Sequence, residues 1–98
     1  MWRQGDVLID TISELPKGAV LHSGTVLFEG EMTGHTHRIA EPGTAELWHA
    51  YGILYLKVTA PTAEIAHDEH KSIGLDKGIY RVWQQREYTP QAIRRVMD

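Results

Sequence analysis

Histidine is the outlying residue of this sequence. Six occur, at positions 22, 35, 37, 49, 67 and 70, and four of them fall in two short strings, His35-Thr36-His37 and His67-Asp68-Glu69-His70. Imidazole titrates closest to neutrality of all side chains, and its neutral form offers a nitrogen lone pair to a metal. On a strand, residues two apart project from one face, so an extended stretch sets His35 and His37 side by side. Two imidazoles so placed can hold one divalent metal, or can divide the roles of general base and general acid. His67 and His70, three apart, do not share a strand face, and a turn or bulge is needed to converge their rings. Joined by carboxylates, histidines of the two strings make a nitrogen and oxygen donor set suited to zinc, manganese or iron. For the second string the bland alternative is a solvated polar turn, because His-Asp-Glu-His-Lys is strongly hydrophilic.

The string Gly30-Glu31-Met32-Thr33-Gly34-His35-Thr36-His37-Arg38-Ile39-Ala40-Glu41 resembles the first metal motif of the cupin superfamily, in which a glycine precedes a His-x-His pair and a glutamate follows after three residues. The resemblance implies a small β-barrel holding a divalent metal, with His35, His37 and Glu41 as ligands. The second cupin motif brings a proline-x-glycine turn and then a histidine. Here Asp76-Lys77-Gly78-Ile79-Tyr80-Arg81 keeps the glycine, with Asp76 at the proline position and Arg81 at that of the histidine. His67 and His70 are then the candidates to complete the ligand set.

The same histidines support a second chemistry without metal. Two imidazoles facing a scissile phosphate serve as base and acid, with Lys71, Arg38 or Arg81 stabilising the developing charge and Tyr80 or Tyr88 orienting the phosphate. The catalytic set is then His35, His37, His67, His70, Lys71 and Arg81, and the product a compact ribonuclease or phosphodiesterase acting on RNA. A third reading is non-catalytic: a homo-oligomer with histidines at a subunit interface. No Walker loop, dinucleotide fingerprint, nucleophile elbow or zinc-protease helix is present, which sets those enzyme classes aside.

The elements that must position these residues are short strands. Ninety-eight residues make one domain, 1–98, and 42% apolar content is ordinary for a globular chain. Without cysteine there is no disulfide framework and no thiolate site. The net charge of −3 counts against a non-specific grip on nucleic acid. No apolar run is long enough to span a bilayer, and Met1-Trp2-Arg3-Gln4-Gly5-Asp6 is not a signal peptide, so a cytoplasmic protein with no membrane partner is expected.

Turn signals recur at strand spacing. Gly5-Asp6 leads into Val7-Leu8-Ile9, Leu15-Pro16-Lys17-Gly18 is a turn, and residues 25–29 are β-rich. A strand carrying His35, His37 and Ile39 follows and ends at Glu41-Pro42-Gly43. Residues 44–49 and 53–58 form the clearest hairpin, joined through Ala50-Tyr51-Gly52. Pro61 starts a further segment running to the second histidine string, and Leu75-Asp76-Lys77-Gly78 is expected to turn into a last strand over 79–87. Thr89 and Pro90 open a short helix that buries Ile93. Trp2, Trp48 and Trp83 read as core or interface anchors. The fold class expected is mainly β: a small barrel or roll of about seven short strands with a short C-terminal helix.

Overall fold

The computed structural model describes residues 1–30 and 32–85. They form β1 (Trp2–Gln4), β2 (Val7–Ile12), β3 (Val20–His22), β4 (Val26–Glu29), β5 (Thr36–Ile39), β6 (Ala45–Ala50), β7 (Ile53–Ala66) and β8 (Ile73–Gln84). All eight strands belong to one sheet, ordered β1-β2-β8-β7-β5-β4, with β6 on β7 and β3 on β6.

Tight turns set the registers at two hairpins. Between β1 and β2, Gln4 pairs with Val7, and Gly5 takes the positive φ of 59° that the turn requires. Between β6 and β7, Ala50 pairs with Ile53 across Tyr51 (φ 53°) and Gly52 (φ 76°). Two successive left-handed residues match the twist of a two-residue hairpin.

β7 and β8 form the spine. The first half of β7 pairs with β6 and its end pairs with β5, while β8 runs along its other side. The ladder shifts register between Val58 and Thr62, the stretch that contains Pro61. Proline has no N–H for a ladder and is tolerated at such a bulge, where the strand also bends. Leu75-Asp76-Lys77-Gly78 therefore corrects one expectation: it is not a turn but part of β8, with Asp76 opposite Thr62 and Gly78 opposite Val58. The pairing partner, absent from the local sequence, extends a stretch whose aspartate and glycine otherwise favour turning.

Alternation assigns the faces. Tyr80 and Val82 of β8 are buried and Arg81 between them is exposed, as a period of two requires. Val7, Ile9, Leu47, Leu56, Val58, Ile65, Leu75 and Val82 make the centre of the core. Trp2 packs on its rim, edge-on to Tyr80 at 5.6 Å between ring centroids.

The barrel expectation needs correction too. The strand path begins at β1 and ends at β4 and does not close. It is nevertheless strongly curled. Laid flat, β1 and β5 would stand four strand spacings apart, about 19 Å. Instead the Gln4 side chain of β1 lies 2.9 Å from His37 of β5. The expected C-terminal helix lies outside the described residues. Among the described residues no helix is long and apolar enough to cross a membrane.

Candidate functional site

The curl of the sheet brings three segments to one corner. β5 contributes His37, which alternation turns inward with Ile39 while Thr36 and Arg38 stay at the half-buried edge. The β1–β2 hairpin contributes Gln4 and Asp6, both buried. The connection from β7 to β8 contributes His67 and His70, and the β4–β5 connection contributes His35.

The four histidines of the two strings meet here. Ring centroids are 4.3 Å apart for His37 and His67, 4.6 Å for His67 and His70, 5.6 Å for His35 and His67, and 6.4 Å for His37 and His70. His37 is 0% exposed and His67 8%, whereas His70 is exposed. The cluster thus has a sealed inner end and a solvent-facing outer end.

Its inner end is a hydrogen-bonded network anchored by Gln4. The Gln4 amide nitrogen donates to the carbonyls of Ile65 (3.0 Å) and Lys71 (2.8 Å), which fixes the orientation of the amide. Its oxygen therefore accepts, and the partner at 2.9 Å is Nδ1 of His37, which must carry a proton. On the other side of the ring, Nε2 of His37 lies 3.6 Å from Oδ1 of Asp6. Asp6 is held in turn by Nε2 of Gln84, which donates to Oδ2 at 3.0 Å, and by its own carbonyl, which accepts from the N–H of Gln85 at 2.8 Å.

The second histidine string is tied down at several points. Nδ1 of His67 accepts the backbone N–H groups of Glu69 (3.0 Å) and His70 (3.1 Å), closing a tight local turn. Asp68 Oδ1 accepts from Nη1 of Arg38 at 2.6 Å and from the N–H of Thr36 at 3.4 Å, joining the loop to β5. The Arg38 hydrogen bond holds the Asp68 carboxyl below the usual carboxylate range. Nη1 of Arg38 also donates to the carbonyl and hydroxyl of Thr36. His35 is set by the N–H of Gly30 donating to its carbonyl and by its own N–H donating to Oγ1 of Thr33. Gly34, just before it, adopts a φ of 73° that suits glycine. Glu69 Oε1 approaches Nδ1 of His35 at 3.8 Å.

Other residues singled out by sequence lie apart or act differently. Glu41 is exposed beyond the end of β5 and lines a separate shallow cleft with Ala40, Thr44 and Glu64. Arg81 is exposed in the other half of β8, over the ring of Trp83 at 4.2 Å, with Asp10 and Tyr55 opposite it in the ladders. Lys71 enters the network through its backbone carbonyl. Gln4 and Asp6 were not legible as site residues, because a glutamine and an aspartate flanking a glycine read as ordinary turn chemistry.

Comparison with family models matches residues 3–85 to a domain of unknown function, DUF8820. The chain belongs to this family. The matched span includes Gln4, Asp6 and all four clustered histidines. Comparison with curated proteins and comparison with solved structures each return no match.

Proposed function

We propose that the DUF8820 chain binds a divalent metal at the histidine corner, with His37 as the anchoring ligand and His35, His70 and Asp6 as the further donors. The observation that carries this reading is the His37 ring. It is fully buried, and Gln4 engages its Nδ1–H, so in the neutral ring the lone pair belongs to Nε2, on the side facing Asp6. Ligating histidines are oriented in this manner, by a hydrogen bond from the nitrogen that does not bind the metal. The donors are imidazole nitrogen and carboxylate oxygen with no thiolate, a set that suits zinc, manganese or iron(II).

The fit is one of donor chemistry rather than of ready-made geometry. Among the described residues no group of three or more histidine, aspartate or glutamate side chains is arranged as it stands to hold a metal ion. Binding therefore requires the outer rings, His35 and His70, to reorient while His37 stays fixed, and that ordering lowers affinity. The carboxylate beside His37 is Asp6, whereas Glu41 of the cupin-like string is exposed on another cleft. Exposure of His70 suits a site that keeps a position open to solvent, as catalytic rather than purely structural sites do. A divalent metal in such a site supplies Lewis acidity and lowers the pKa of a bound water.

A metal-free acid–base reading draws on the 3.6 Å approach of Asp6 to His37, which suits an oriented base. It is disfavoured by the complete burial of His37, since a base must reach the proton it abstracts. Elemental analysis of the purified chain, after equilibration with zinc, manganese or iron(II) and removal of excess, decides between the two. Near-stoichiometric metal that is lost in His37→Ala and reduced in the exposed His70→Ala supports the metal site. No uptake of any of the three sinks it, and RNA cleavage insensitive to chelators would put the acid–base reading in its place.

A further inference from the structure

The four histidines differ in which nitrogen carries the proton, and the difference assigns them different tasks. A neutral imidazole has one donor and one acceptor nitrogen. In its neutral form His37 donates from Nδ1 to Gln4 and keeps its lone pair at Nε2. His67 has the opposite pattern. Its Nδ1 receives the N–H groups of Glu69 and His70, so this nitrogen is the acceptor and the ring proton sits on Nε2, which is buried in the cluster. Two rings only 4.3 Å apart are thus held as opposite tautomers by backbone and amide partners outside the ring pair.

We infer that His67 is a positioning residue that presents an N–H to the cluster, not a metal ligand. The inference rests on the metal reading for its consequence but on the hydrogen bonds alone for its premise. Ligation through Nε2 would remove that proton while Nδ1 still serves two N–H donors, which leaves an anionic ring. Ligation through Nδ1 would instead release both backbone donors and open the turn that carries Glu69 and His70. Either route forfeits interactions that the neutral Nε2–H form keeps. His67 therefore holds the 67–70 turn in shape, so that His70 is placed beside His37 and Asp68 against Arg38.

Two measurements test this on the full chain. Long-range proton–nitrogen correlation spectra of the metal-free protein, at a pH where both rings are neutral, should report the Nε2–H form for His67 and the Nδ1–H form for His37. An Nδ1–H form at His67 overturns the inference. His67→Asn keeps an acceptor oxygen near the Nδ1 position but lacks the N–H arm. It should retain zinc stoichiometry with affinity reduced about tenfold, in the range of lost outer-shell partners. Complete loss of zinc from a folded His67→Asn protein would make His67 a ligand and overturn the inference from the other side. Where the unmodified chain takes up no zinc, the metal reading fails and the tautomer spectra still decide the assignment. A His67→Asn protein that does not fold leaves those spectra as the deciding result.

Discussion

Two corners of this sheet bring histidine rings into T-shaped contact, and they differ in what holds the rings. His22 on β3 and His49 on β6 stand 5.7 Å apart, on the outermost strand pair, both exposed. His35 and His67 stand 5.6 Å apart at nearly the same interplanar angle, yet they belong to a corner where His37 and His67 are buried and hydrogen-bonded. Proximity is therefore common to both. Only the second corner fixes a ring by its remaining nitrogen and removes it from water, the two conditions that give an imidazole a defined lone pair and a defined direction. A histidine pair on an open strand surface is close packing without preorganisation.

The largest effect should come from Gln4, which shows whether the anchored corner is held as the hydrogen bonds imply. Gln4→Leu removes the partner of His37 Nδ1–H and both donors to the Ile65 and Lys71 carbonyls, leaving buried polar groups unmatched. A loss of about 3–4 kcal/mol is expected in urea unfolding, together with loss of metal uptake. A loss below about 1 kcal/mol would mean that water replaces the amide and that Gln4 orients nothing. His37→Ala should follow at about 2–3 kcal/mol, from a buried ring removed and Gln4 Oε1 left without its donor.

Tyr80 supplies an intermediate effect away from both corners. Its hydroxyl donates to the Asp76 carbonyl at 2.6 Å, so Tyr80→Phe should cost about 1 kcal/mol at neutral pH. Burial first, and the Asp76 charge second, push the Tyr80 pKa above its ordinary value of 10.0. The sign follows from linkage: above that ordinary value the unfolded chain deprotonates first and binds fewer protons than the folded one, so stability falls as pH rises. Denaturant midpoints measured between neutral and strongly alkaline pH should fall less for Tyr80→Phe than for the unmodified chain. The smallest effect belongs to the open pair: His49→Ala and His22→Ala should stay within about 0.5 kcal/mol and leave metal content unchanged. Metal loss in either would move the site to the β3–β6 corner and reverse the comparison.

Legibility followed the range of the interactions involved. The β6–β7 hairpin was readable because its turn residues and alternation are local. The strand expected to carry His35, His37 and Ile39 was readable only in part: His37 and Ile39 are buried on β5, whereas His35 falls just before it, in the β4–β5 connection, so the two histidines are not neighbours on one strand face. The turn expected at residues 75–78 was misread, because strand pairing with β7 outweighs a local preference for turning. Pro61 similarly marks a bulge in the middle of β7 rather than the start of a new segment. Gln4 and Asp6 carried no distinguishing signal, since their partners, His37, Lys71 and Gln84, are distant in sequence.

The sequence by itself determined that the chain is mainly β, where several of its turns fall, and that histidines gather in two strings. Period and turn chemistry are properties of neighbouring residues and are written in order along the chain. Only the tertiary structure decided that the two strings meet, that Gln4 and Asp6 join them while Glu41 and Arg81 lie elsewhere, and which hydrogen-bond partners each inner ring meets. Those outcomes depend on how far an open sheet curls, which is set by long-range strand pairing and a bulge rather than by any local run of residues.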